Sequence, residues 1–416
     1  MRVPATTTIG SYPVFPPPED VEYERKMRNH GISDEIVDPY FWSIDETVRD
    51  FASSGIEIIS TGQTRGDLYS IFLDPRFVKG ISWNGAEAFV SERVSRISNL
   101  RLADVRRVKG LVPDYMRIKE PITDAYTLAR FAKITTSCYK DVMELAEDFN
   151  RQVVIPEIED LQNDGSVSMV QLDSPNLAAE SSPPDFVGGL YDEIASMAKI
   201  PIVLHACGDT ARVFRLLTGL KVNTLSLDFY HYPRLLEQAS KKNYDQTIGL
   251  GATDSQTPRV EQVEEVASLI AKGRKLLGDD RIEFVHPHCG QRSLHRETAF
   301  QKNANLTMAR DDVYFGEAEE AKHHQLERHE YDPRGYFLVT VRRESKEIFV
   351  TFYSYDRMAV RRYRSREAER ILQAINNEVD KLGISRRHLS YLTLELGRAE
   401  ASLESPTLTY RQRTIE

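Results

Sequence analysis

The sequence holds only three cysteines (Cys138, Cys207 and Cys289) in 416 residues. That is too few for a disulfide framework, which leaves the thiols free to bind metal or react and points to a reducing, cytoplasmic setting. Long apolar runs are missing as well: nothing approaches the roughly 18 residues that a membrane span needs, and Met1-Arg-Val-Pro carries no signal-peptide core, so no membrane role is expected. Positive charge is short, with 54 Lys and Arg against 63 Asp and Glu and a formal charge of -9. A phosphate backbone is therefore excluded as the main partner, and no nucleic acid is expected. Internal repeats are absent, and the one low-complexity scrap is the Phe15-Pro-Pro-Pro turn.

What is present is an ordinary globular composition, 41% hydrophobic and 28% charged, on a chain long enough for two or three domains at about 150 residues each. Short Val, Ile and Leu runs recur, each ended by Gly, Ser, Asp or Pro and followed by a long amphipathic stretch, which is the α/β pattern. The runs predict strands near Thr6–Ser11, Ile56–Thr61, Glu120–Thr123, Ser168–Asp173, Ile200–His205, Asn223–Asp228, Thr247–Thr253 and Ile282–Pro287. These make up the set that a closed (β/α)8 TIM barrel requires. A further strand is expected at Arg107–Val112, in a hairpin outside the barrel. After Arg310 the texture changes, so we expect a barrel over 1–310, a polar linker over 311–332 and a small α+β domain over 333–416. That last domain would contain a hairpin of YFLVTVR and KEIFVTFYS, then helices near Arg366–Lys381 and Ser385–Ser405.

The chemistry collects at predicted strand ends, which a barrel brings to one face. His205 and Cys207 follow IPIVL, Asp228 ends NTLSL and Cys289 follows IEFVHP. Two thiolates, an imidazole and a carboxylate suit a borderline-soft ion in tetrahedral geometry, and Zn2+ is the natural occupant. A His-x-Cys pair alone is more often a packed core element; the second strand-end Cys and the intervening carboxylate move the balance toward metal. His231, His286 and His288 read as pocket-lining residues around that site. His323, His324 and His329 read as a solvated helix face.

The segments TTTIGSYP, MVQLDSP, LHACGD and VHPHCG together resemble the catalytic domain of cobalamin-independent methionine synthase, over roughly residues 5–300. The chain looks like the short archaeal and bacterial core form, without the amino-terminal half of the long enzymes and with an extra carboxyl-terminal domain. The resemblance implies a catalytic zinc on His205, Cys207, Asp228 and Cys289, Asp228 being one methylene shorter than the family's usual glutamate. It also implies that Ser11 and Asp173 hold homocysteine. Gln63 in TGQTR stands where the family has the glutamate that anchors the substrate amine, and Ser174 replaces the glutamate of QxDEP. Gln256 in TDSQTP stands where a histidine is the proposed proton donor to the departing folate. The tail, with DPRGYFLV and LSYLTLELGRAEASL, is similar to an uncharacterised domain of archaeal proteins near one-carbon and pterin metabolism.

These residues lead to an expectation of a zinc-dependent S-methyltransferase that converts homocysteine to methionine. Without a proton donor at position 256, an amine leaving group departs badly, so a methylcobamide or corrinoid protein is the expected methyl donor. The rival readings are another zinc thiol alkyltransferase, of the coenzyme M methyl- or epoxyalkane transferase type, and a non-catalytic barrel acting as a binding subunit.

Overall fold

The computed structural model describes residues 2–16, 21, 38–84, 86–112, 116–180, 183–241, 243–326, 336–344, 347–354, 359–365, 370–373 and 407–410. The chain divides into two compact units, Met1–Val48 with Glu57–Val313, and Arg49–Ile56 with Tyr314–Glu416. Eight parallel strands build the first: β1 (Ala5–Thr6), β2 (Ile58–Ile59), β3 (Arg117–Thr123), β4 (Met169–Asp173), β5 (Ile202–Ala206), β6 (Thr224–Asp228), β7 (Thr247–Thr253) and β8 (Ile282–Pro287). Neighbours follow sequence order from β2 through β8 to β1, and a parallel bridge from Thr7 to Ile58 joins the two ends of the sheet. This is a (β/α)8 TIM barrel. Helices cover the outside and side chains fill the inside, so strands such as β5 (IVLHA) and β6 (TLSLD) are buried at every residue and read as nearly continuous apolar runs.

Between strands the chain turns where the sequence demands it. Asp124 caps the helix Ala125–Phe131 by accepting from the Thr127 N–H at 2.9 Å, and Asp141 caps Val142–Phe149 through Glu144 in the same way. These carboxylates answer backbone donors that a helix start leaves orphaned. Gly165, at φ 72°, ends Ile155–Asp164 in the left-handed conformation that glycine adopts without penalty.

One expected strand is a helix. Arg107–Val112 falls mostly within Leu102–Leu111, whose Val105, Val108 and Leu111 are buried at a helical spacing while Arg106 and Arg107 are exposed. The apolar alternation of the short run VKGLV mimicked a strand, and the longer three-residue period decides against it. The accessory hairpin is instead Val78–Trp83 with Ala88–Arg96, joined in parallel by Lys133–Ile134. Gly80, at φ 87°, forms a bulge in it, where a Cβ would come within 2.6 Å of the Arg93 carbonyl oxygen.

In the second unit the antiparallel sheet runs Ala359–Ser365, Glu347–Ser354, Tyr336–Glu344, Thr407–Tyr410. The YFLVTVR and KEIFVTFYS segments pair in it as the expected hairpin, with Val341 opposite Val350. Residues 311–326 continue the helix Arg296–Leu326. The helices expected near Arg366–Lys381 and Ser385–Ser405 lie outside the described residues, apart from residues 370–373, which are helical.

Side chains alternate along a strand, so every second residue of a barrel strand points inward. Ala5, Ile58, Met169, Val203 and Phe284 form an apolar cluster in the core. Two residues further along β4, β5 and β8, on the same face, come Gln171, His205 and His286; Asp173 closes β4, and Cys207 and His288 directly follow the ends of β5 and β8. An apolar floor therefore carries a polar layer at the carboxyl ends of the strands.

Candidate metal centre at the carboxyl face of the barrel

Strand register brings the polar residues side by side. Asp173 pairs with His205 between β4 and β5, and His205 pairs with Ser226 between β5 and β6. Just beyond Cys207, Gly208 at φ 94° turns the chain away from the strand direction. On the far side, the loop after β8 is stapled in place. His288 N–H donates to the Thr253 carbonyl at 2.8 Å, Cys289 N–H to Ser255 Oγ at 3.0 Å and Gln291 N–H to the Ser11 carbonyl at 2.7 Å. The ligand atoms of His205, Cys207 and Cys289 thereby lie within 4.8 Å of one another.

His205 Nε2 is buried with no hydrogen-bond partner. An unsatisfied buried polar atom costs about 1–3 kcal/mol, a cost that a metal-ligand bond would remove. A hydrogen bond with Cys289 holds the Cys207 thiol well below its usual range, and the same bond together with burial pushes Cys289 well above it. The two thiols therefore lie against each other, beside an imidazole nitrogen with no partner. This donor set fits Zn2+.

Asp228 faces elsewhere. The DFYHYP turn folds back, and the Asp228 carboxylate meets the His231 backbone N–H and ring Nδ1, each at 3.0 Å. His231 Nε2 lies 3.7 Å from Asp254, and its ring meets His288 edge-on at 4.5 Å. Asp228, His231 and His288 are a second convergent group, apart from the His205 set. Gln256 is exposed, and its backbone N–H donates to Asp254 at 2.8 Å.

Gln63 and Asp173 are brought together, Gln63 Nε2 donating to the carboxylate at 3.4 Å. Gln63 is the one non-glycine with positive φ (46°) among the described residues, an outlier of the kind that collects at functional sites. Gly10 leaves room for it, since a Cβ there would come 2.7 Å from Gln63 Oε1. The Ser11 side chain lies against Gly290, where any Cβ would collide with its Oγ, which sets Ser11 next to Cys289. Burial raises the Asp173 carboxyl to about 6, against the pull of His205, Gln171 and Lys119. Beneath it, Lys119 is buried, donates to the Thr8 carbonyl at 2.7 Å and to Gln171 Oε1 at 2.5 Å, and is lowered by desolvation to about 7.

Residues 4–311 match the model of the family described as cobalamin-independent synthase, catalytic domain. The chain belongs to that family. Among its relatives, the methionine synthase of Methanothermobacter thermautotrophicus is 32% identical over 73% of this chain and 98% of its own. That of Methanocaldococcus jannaschii is 28% identical over 73% and 97%. The same barrel recurs in the B12-independent methionine synthase of a Shewanella species, solved with selenomethionine, at TM-score 0.64 and 20% identity over 76% of this chain and 99% of that one. Residues 331–413 match a separate family described as PterinBD-DUF4346. Within this synthase barrel, Lys119, Gln171, Ser226 and Asp254 are functional-site neighbours that the motif reading passed over. Two-residue spacing from Asp173 and Asp228 was the available signal for Gln171 and Ser226, and for Asp254 it was its place directly after β7 in the TDSQTP segment.

Proposed function

We propose that this chain is a zinc-dependent S-methyltransferase that methylates the thiol of homocysteine to give methionine. The observation that carries the proposal is the buried, partnerless His205 Nε2 facing the sulfurs of Cys207 and Cys289 in a barrel of the cobalamin-independent synthase family. His205, Cys207 and Cys289 would hold the ion. Asp228, at the end of β6 and bonded to His231 in the turn that follows, is retained as the fourth ligand. Bound zinc would supply a thiolate nucleophile at neutral pH, where a free thiol with a pKa of about 8.5 is mostly protonated. Asp173, seated beside Gln63, is the acceptor for the substrate ammonium, and Ser11, against the Cys289 loop, positions the amino acid.

For the donor we keep a methylcobamide or corrinoid protein, because Gln256 has no acidic proton for an amine leaving group. A reduced-pterin donor is the second reading. It is favoured by His231, an imidazole held between Asp228 and Asp254, close to the backbone of Gln256. We read 1–310 as the catalytic barrel, 311–332 as a linker and 333–416 as a domain of its own, in a reducing cytoplasm that keeps Cys207 and Cys289 as thiols. Among the described residues no helix is long and apolar enough to cross a membrane.

The test is turnover of homocysteine and of coenzyme M, each with methylcobalamin and with methyl-tetrahydrofolate. Preference for homocysteine with methylcobalamin is expected. Preference for coenzyme M would move the chain to the rival alkyltransferase class, and faster turnover with the folate would favour His231 as the acid. No alkylation of either thiol by a zinc-loaded chain would leave the binding-subunit reading.

A further inference from the structure

Behind His205 lies a chain of hydrogen bonds that ends on a backbone carbonyl, and its direction can be read from that end. The Pro287 carbonyl can only accept, and His286 Nδ1 lies 2.7 Å from it, so Nδ1 carries the proton. The His286 ring is fully buried, a setting that disfavours a second proton, so its Nε2 is an acceptor. Ser226 Oγ stands 3.0 Å from that nitrogen and donates to it. Having given its hydrogen to His286, the Ser226 oxygen is left to accept from His205 Nδ1 at 3.1 Å, and the Ser226 carbonyl, also acceptor-only, lies 3.2 Å from the same nitrogen. Both oxygens require His205 to be protonated on Nδ1, which leaves the buried Nε2 lone pair facing Cys207 and Cys289.

Strand β7 is closely packed here: a Cβ on Gly249 would come 2.3 Å from the Phe284 ring and 3.0 Å from His286 Nε2, and one on Gly251 2.5 Å from the Leu227 carbonyl oxygen and 3.3 Å from His286 Cε1. A ring serving only to fill the barrel would be apolar, as Phe284 is one step below. His286 instead has a hydrogen-bond partner for each nitrogen.

We infer that His286 and Ser226 form a relay that fixes His205 as the Nδ1–H tautomer and aims its Nε2 at the metal. They are positioning residues, with no contact to substrate assigned to them. The inference rests on the proposed metal site, yet its core, the tautomer, exists without metal. Outer partners of this kind contribute roughly ten- to hundredfold in metal affinity.

The full chain, labelled with 15N on its histidine rings and stripped of metal, should show His205 as a single tautomer protonated on Nδ1, with the resonance assigned by His205→Gln. His286→Phe should leave a mixture of tautomers and weaken zinc binding, measured by competition with a chromophoric chelator, roughly ten- to hundredfold. His286→Gln, whose amide oxygen can still accept from Ser226, should recover part of the loss. Ser226→Ala breaks the relay in the middle and serves if His286→Phe does not fold; because the residue 226 carbonyl accepts from His205 in both variants, it should weaken zinc binding by a similar factor. A proton on Nε2 of His205 in the wild type, or unchanged tautomer and affinity in the variants that fold, would overturn the inference. A wild type that shows Nδ1–H yet binds no zinc supports the relay and instead removes the metal reading.

Discussion

Two clusters of buried polar groups flank the strand ends of the barrel, and they differ in what is left over. Outside β3, Arg101 has a side chain with no exposure, its Nε 2.7 Å from Glu120 and its Nη1 3.0 Å from Asp104, and it also donates to the Thr61 hydroxyl. Arg65 closes the far side on Asp104 and Asp38, and Glu157 accepts the backbone N–H groups of Leu100 and Arg101. Charge meets countercharge, and Thr61, bonded to Glu120 at 2.9 Å, lets this cluster buttress the turn that carries Gln63. Inside the barrel mouth Cys207 and Cys289 share a hydrogen bond and His205 Nε2 has no partner. A closed set of charges holds a shape, whereas an open donor set waits for a ligand.

The largest effect should come from the open set. Cys207→Ala or Cys289→Ala should abolish zinc binding, from about one ion per chain, and with it methyl transfer, while thermal unfolding shifts little because a catalytic zinc adds little to a core of this size. Elemental analysis finding full zinc in both variants would refute the assignment. The closed set should behave the opposite way. Arg101→Met strands Glu120 in the interior and should cost about 3–5 kcal/mol of stability, whereas Arg101→Met with Glu120→Leu should recover most of it. Denaturant melts read this directly, and zinc per folded chain should stay unchanged. Loss of metal without loss of stability in Arg101→Met would erase the distinction between the clusters.

That difference was only half legible in the sequence. Thr247–Thr253 and Ile282–Pro287 stand out as strands because short segments rich in Ile, Leu, Val and Phe, closed by Thr or Pro, fit staves buried in a barrel. The strand-end rule likewise grouped His205, Cys207 and Cys289, whose atoms do converge. Neighbouring strands do not say where a side chain turns, however, and the Asp228 carboxylate turns to His231, three residues on, through a local fold that no alternation rule carries. Arg101 and Glu120 were passed over because a lone charge in an amphipathic segment looks solvated until its partner, here 19 residues away, is seen beside it. The accessory hairpin escaped because Gly80 and the charges of AFVSERVSR interrupt its apolar pattern.

Within the open set, Asp173 is the finer probe. Asp173→Asn keeps the shape and removes a charge-assisted hydrogen bond to the substrate ammonium, a contribution of roughly 1.5–3 kcal/mol. That corresponds to roughly a ten- to hundredfold fall in kcat/KM for homocysteine. Coenzyme M, which has no amino group, should be almost indifferent. Equal losses on both acceptors would mean that Asp173 supports the metal shell or the fold instead.

The smallest expected effect is in pH. Burial lifts the Asp173 carboxyl to about 6 in the folded chain, against about 3.9 unfolded. The folded state therefore holds the extra proton between those values. Stability from this group is greatest at the acid end and declines as pH rises from about 4 to about 6, where the buried carboxylate ionises. Activity should run the other way, because only the ionised form attracts an ammonium. From pH 7 to pH 5, kcat/KM for homocysteine should drop about tenfold around a midpoint near 6, since about one carboxylate in ten remains ionised one unit below its pKa. In Asp173→Asn that limb should disappear while any pH dependence of the thiol and its ligands remains. Persistence of the same limb in the variant would assign it to those sulfurs and histidines, and the carboxylate would lose its place in the pocket.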